Sequence, residues 1–129
     1  MLNTSTTVAV IQHYCVVSAL VFIRKQSINH LPIGHSFIPY DILITVVESH
    51  TNNEELTVKA LFASLPYSDM GLRYHFRKLL NDGWIELQPM NGDKRVKQIK
   101  PTEKLSNQFD LFLNSIKPAL NTESFQNDN

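Results

Sequence analysis

"LTVKALFASLPYSDMGLRYHFRKLLNDG", residues 56–83, decides the fold because it carries the same helix-start device twice. Thr57 is a good N-cap, with Leu56 before it and Leu61 four positions inside the helix, the arrangement of a hydrophobic staple. After Leu65 and Pro66 the device returns: Ser68 caps, Tyr67 precedes it, and Leu72 stands at the fourth helical position. Two short stapled helices with a brief connection predict a helix-turn-helix. The second, expected over Asp69–Asn81, buries Leu72, Phe76, Leu79 and Leu80 and stops at Gly83, a C′ glycine.

Toward the C-terminus, "WIELQP" and "RVKQIKP" read as short strands around Asn91-Gly92, a strong two-residue hairpin signal. Thr102 then caps a last helix in which Leu105, Phe109, Phe112 and Ile116 recur at spacings of four, three and four, and Pro118 closes it. Toward the N-terminus, a helix from about Phe37 or Pro39 to His50 buries Ile42, Leu43, Val46 and Val47, with Pro39 tolerated in its first turn. Ahead of the break "NHLPIGH" lies a helix from Thr7 to about Ser27, with Ile11, Tyr14, Cys15 and Phe22 on one side and Val10, Val17, Leu20 and Val21 toward the other. A helix apolar most of the way round is expected to be buried between partners on both sides, one of them a second subunit.

The expected fold is mainly α with a small two-stranded β wing: a winged helix-turn-helix with an additional long N-terminal helix and a C-terminal helix. In segments, residues 1–36 are the apolar helix and linker, expected to dimerise, and 37–104 the winged helix-turn-helix. Residues 105–120 are the C-terminal helix, and 121–129, "NTESFQNDN", are expected to be a disordered tail.

Formal net charge is zero over 129 residues, yet the charge is unevenly placed. Residues 71–104 hold eight lysines and arginines against four acidic residues, while both flanking segments are acidic on balance. Screening makes such a local basic segment a better electrostatic footprint than the total. On the second helix of the pair, the face opposite the buried one carries Met70, Arg73, Tyr74 and Arg77, with Lys78 beside it. Arginine in a major groove donates two parallel hydrogen bonds to guanine O6 and N7; Tyr74 suits a phosphate or a thymine methyl. Ser68 and the free amides at the helix start suit a backbone phosphate. The hairpin tip adds Lys94, Arg95 and Lys97, with Arg95 and Lys94 placed for an adjacent minor groove. Asp93, acidic in this basic loop, is expected to orient the wing by holding Arg95 or Arg73; the other reading is a turn residue chosen for hairpin geometry.

These residues resemble MarR-type transcriptional regulators over about fifty positions, from "LTVKAL" through "YSDMGLRYHFRKLLNDGWIE" to "NGDKRVKQIKPTEK". The family's wing signature is Asp-x-Arg followed by Leu-Thr-Glu-x-Gly; Asp93, Arg95, Thr102 and Glu103 match it, whereas Pro101 and Leu105 depart. The resemblance implies that Ser68–Arg77 reads the major groove of double-stranded DNA and Arg95 the minor groove. It implies a homodimer on a near-palindromic operator, and a pocket for a small-molecule effector between the N-terminal helices and the DNA-binding lobe. Family members continue after the wing with two long helices; here about fifteen helical residues stand before Pro118. Dimerisation is therefore expected from the first helix (Ile11, Tyr14, Phe22) and the last (Phe109, Phe112, Ile116).

Other function classes lack a signal. There is no Gly-rich phosphate loop, nucleophile elbow or tuned carboxylate pair, so no enzyme and no cofactor are expected. The histidines match no compact ligand spacing, so no metal is expected. Val8–Ile23 is short for a membrane span and interrupted by Gln12 and His13. Cys15, the single cysteine, excludes an intrachain disulfide and fits a reducing cytoplasm. In the resemblance its region is one where some members sense oxidants; among Tyr14, Val16 and Val17 it is expected to be buried and inert. The competing classes are a winged-helix module for protein–protein contacts and a DNA-binding protein of replication or plasmid control.

Overall fold

The computed structural model describes residues 4–120, with side-chain surroundings from Cys15 onward. Five helices and one hairpin follow in the expected order: α1 Thr4–His30, α2 Phe37–Thr51, α3 Val58–Ser64, α4 Asp69–Asn81, β1 Ile85–Met90, β2 Asp93–Pro101 and α5 Glu103–Ile116, with a 3₁₀ turn at Lys117–Leu120. The expected tail, 121–129, lies outside the described residues.

The starts of α2, α3, α4 and α5 are fixed by side chains. Ser36 accepts from the Ile38 amide at 3.2 Å, Thr57 from Ala60 at 3.1 Å, Ser68 from Gly71 at 3.1 Å and Thr102 from Leu105 at 3.2 Å. Each satisfies an amide that the first helical turn leaves without an intrahelical acceptor. The residues of both staples reach one core: Leu56, Leu61 and Leu72 are buried and Tyr67 is half-buried against it. Gly83 ends α4 with φ +77°, a left-handed conformation that a side chain would strain.

β1 and β2 pair antiparallel from Ile85↔Pro101 to Pro89↔Lys97, and Met90↔Asp93 closes the hairpin. Asn91 and Gly92 carry φ +48° and +78°, both positive as a type I′ turn requires. The register shifts between Pro89 and Met90, so Lys94, Arg95 and Val96 have no partners on β1 and form a bulge behind the tip. At the wing's base the Ile99 amide donates to the Leu56 carbonyl at 2.7 Å, tying the wing to the residue before α3.

One core joins the elements: Leu31 and Ile33 of the α1–α2 linker, Ile42, Leu43 and Val46, Leu61, Leu72, Phe76 and Leu79, Ile85, Ile99, and Leu105, Phe112 and Ile116. One helix expectation needs correcting. Phe112 and Ile116, expected at a dimer face, are buried in this chain's own core, and Phe109 is half-buried against it. The reason is that α5 packs against α1 within the chain, so its regular stripe faces inward, leaving Leu111 and Leu113 exposed. The first helix forms, and its own chain covers only one of the two sides expected to be buried. Val16, Val17, Leu20, Val21 and Phe22 are all exposed, because α5 and the 3₁₀ turn cover only one side of it. Cys15, expected to be buried, is exposed for the same reason. The side chains of Ile11 and Tyr14 lie outside the described residues.

Candidate nucleic-acid interface

The second helix of the pair is strongly two-faced. Leu72, Phe76 and Leu79 anchor one side in the core, and Phe62 of α3 meets Phe76 edge-on at 5.6 Å between ring centroids. This packing turns the opposite side outward. Met70, Arg73, Tyr74, Arg77 and Lys78 are all exposed there and line one shallow concavity with Asn81 and Asp82. The structure therefore brings together the five α4 residues singled out from the sequence.

Within that face Arg73 is already engaged: its Nε lies 2.8 Å from an Asp69 carboxylate oxygen, one turn earlier. Among the described residues Arg77 forms no ion pair, leaving its guanidinium open to a ligand. Ser68 uses its oxygen to cap α4, and its O–H hydrogen remains available as a donor. Tyr74 stands edge-on to His75, with centroids 5.0 Å apart. Partial burial, and secondarily the charge of Lys78, hold the His75 pKa below its usual value.

Lys59 was not among the residues singled out from the sequence. It lines a groove between α3 and α4 with Arg73 and Arg77. Its signal, a lone exposed lysine early in the first helix of the pair, becomes meaningful only once the packing of the two helices is known.

On the wing, Lys94, Arg95 and Lys97 are exposed, the first two inside the bulge. Asp93 does not hold an arginine side chain. Its Oδ1 accepts from the Arg95 backbone amide at 2.9 Å, and Arg73 pairs with Asp69 instead. The turn reading of Asp93 is the one the structure contains: the carboxylate takes an amide that the bulge removes from the strand ladder. A cleft of about 710 Å³ lies where the linker Pro32–Ser36 meets α4, lined by His35, Tyr74, His75, Lys78 and Asp82 among others.

No protein-family profile and no curated protein sequence matches the chain. Solved structures do. The transcriptional regulator Tm0710 from Thermotoga maritima aligns over 95% of this chain and 81% of its own, with a TM-score of 0.64 and 15% identity. Wild-type MarR from E. coli, in its apo form, aligns over 100% of this chain and 87% of its own, with a TM-score of 0.57 and 16% identity. The fold is that of the MarR-type regulators. A third structure, overoxidized AbfR bound to DNA, aligns over 96% of this chain and 90% of its own at a TM-score of 0.53 and 19% identity. The winged-helix architecture is thus shared along nearly the whole chain, while most side chains differ. Among the described residues no helix is long and apolar enough to cross a membrane.

Proposed function

We propose that this chain is a sequence-specific double-stranded DNA-binding protein and a transcriptional regulator, acting in the cytoplasm as a homodimer. In this reading α4 enters the major groove and the wing follows the neighbouring minor groove. The observation that carries it is the exposed basic face of α4, Arg73, Arg77 and Lys78, in a chain whose wing bulge presents Lys94 and Arg95. A duplex offers closely spaced phosphates to such a surface, and helix-turn-helix proteins dock their second helix in the major groove. The shared fold with a structure that is bound to DNA supports the same reading.

In this proposal Arg77 and Arg73 contact base edges, with Met70 and Tyr74 between them. Ser68, Lys78 and Lys97 contact phosphate, Lys94 and Arg95 reach the minor groove, and Asp93 fixes the bulge that presents them. The homodimer rests on Phe22 and its exposed neighbours on α1, continued by Leu111 and Leu113, with Ile11 and Tyr14 assigned to the same face from the sequence. An operator made of two related half-sites follows from two-fold symmetry. A small-molecule effector is unidentified.

The test is fluorescence anisotropy of the wild-type chain and Arg95→Ala with short duplexes at two salt concentrations. Binding that weakens steeply with salt, and drops in the variant, supports both the DNA reading and the wing's part in it. If neither protein binds any duplex even at low salt, the basic segment is a solvated face. The exposed apolar side of α1 then favours a module for protein–protein contacts.

A further inference from the structure

The recognition face holds a thioether and an aromatic ring that phosphate contacts do not explain. Met70 is 81% exposed and Tyr74 64%, and they stand one turn apart on the same side of α4. Neither contributes to the core, and Met70 carries only a weak acceptor. The Tyr74 hydroxyl can donate to a phosphate oxygen, but the Met70 thioether and the Tyr74 ring gain little from one. Basic groups surround them: Arg73, Arg77 and Lys78 share their concavity. A polyanion is therefore the occupant favoured by charge, and it must present apolar groups to Met70 and Tyr74. In the DNA major groove the one apolar group on a base edge is the C5-methyl of thymine.

We infer that Met70 and Tyr74 read thymine methyl groups, so that each half-site carries thymines beside the guanine contacted by Arg77. The inference rests on the DNA-binding reading above and names what that site prefers. Four residues along a helix rise about 6 Å, against about 3.4 Å per base step, so the two side chains face base pairs one to two steps apart. Met70 lies in the first turn of α4, the part of a recognition helix that reaches base edges. The His75 ring supports the Tyr74 ring edge-on.

The experiment starts from a random duplex pool enriched on the full-length chain. The probes are the enriched duplex and copies in which deoxyuridine replaces thymine one position at a time, which removes only the methyl. Each of two thymines per half-site is expected to lose about four-fold in affinity, the scale of one buried methyl. Met70→Ala should weaken the thymine duplex about as much and become indifferent to one of those uridines; Tyr74→Ala should become indifferent to the other. Arg77→Ala should weaken both duplexes and keep the uridine penalty. Both apolar side chains are exposed, so their variants should fold as the wild type does.

If the uridine copies bind as tightly as the thymine duplex, with salt sensitivity intact, the methyl reading is overturned and DNA binding stands. The methyl reading also fails if every variant keeps the full uridine penalty, because the loss then belongs to DNA stiffness. If no duplex is enriched and none binds at low salt, the proposed function falls and the thymine reading with it.

Discussion

The hydroxyl of Thr102 donates to the carbonyl of Gly83 at 2.7 Å, with the Trp84 carbonyl at 3.0 Å, while its oxygen accepts from the Leu105 amide at 3.2 Å. One side chain thus ties together the end of α4, the base of the wing and the start of α5. Thr102→Ala removes a cap and leaves those carbonyls without this donor, at an expected cost of about 1–2 kcal/mol. Thr102→Ser should keep most of it. Urea melts of the three proteins check this, and a Thr102→Ala midpoint equal to wild type would remove the hydroxyl from the account.

Tyr67, before the α4 cap, donates its hydroxyl to the Asp41 carboxylate on α2. That hydrogen bond, then partial burial and the Asp41 charge, raise the Tyr67 pKa above its usual 10.0. The folded state therefore keeps a proton that the unfolded state releases first. The resulting stabilisation is complete below pH 10 and lost as pH rises through the folded-state pKa. Tyr67→Phe should be less stable at neutral pH, by about 1–2 kcal/mol, because Asp41 loses a charge-assisted partner. Its stability should also fall less steeply in alkali than that of wild type. Thermal melts between pH 8 and 11 separate the two slopes.

The Asp69–Arg73 pair is 65% exposed on each side chain, and such pairs contribute about 0–1 kcal/mol. Asp69 also sits in the first turn of α4, where the helix dipole favours a carboxylate by about 0.3–1 kcal/mol at low salt. Asp69→Asn should therefore change stability only slightly. Its larger effect is on binding: one negative charge leaves a face proposed to meet phosphates, and Arg73 is released. Tighter binding to non-cognate duplexes with weaker discrimination of the enriched one is expected. Anisotropy titrations on both duplexes decide it; unchanged discrimination would mean that Asp69 does not orient Arg73 for reading.

His75 offers a titration check. Its pKa lies below 6.5, chiefly from partial burial and secondarily from Lys78. The unfolded chain takes up the proton first as pH falls, so stability declines as pH drops from 6.5 toward the folded-state value. Lys78→Ala should raise the His75 midpoint without restoring it fully, since burial is the larger cause. Imidazole proton shifts followed by NMR give both midpoints. A wild-type midpoint above 6.5 would contradict the half-buried environment.

What could be read from the sequence follows physical range. Caps, staples and the Asn91-Gly92 turn depend on residues within about four positions, so Thr57, Ser68, Gly83 and Thr102 announced their roles directly. The exposed face of α4 followed from its period. The wing bulge was not legible, because nothing within "DKRVK" marks it and the mismatch exists only against β1. Asp93 was ambiguous for a related reason. A carboxylate two residues before an arginine has both its amide and its guanidinium within reach, and only the backbone path selects the amide. For α5 the stripe was right and its partner wrong, since periodicity shows that a face is buried and not which chain covers it.

That distinction makes a final prediction about the two end helices. Phe112 is 2% exposed and packs edge-on against Phe109 at 5.6 Å between centroids. Phe112→Ala should cost about 3–5 kcal/mol, the range for aromatic truncation in a core, and should lower stability at every protein concentration. Leu20 is 61% exposed on α1 and Val17 53%, so neither supports the fold of one chain. Leu20→Glu should leave the chain folded while placing a charge in the proposed dimer interface, where an unpaired buried carboxylate is strongly unfavourable. Sedimentation velocity should then show a folded monomer in place of a dimer. DNA affinity should fall as well, because two half-sites bound by one linked dimer gain from effective concentration and separate monomers do not. If Leu20→Glu sediments as wild type does, the exposed side of α1 is not the dimer face. Leu111 and Leu113 on α5 would then be the next residues to change.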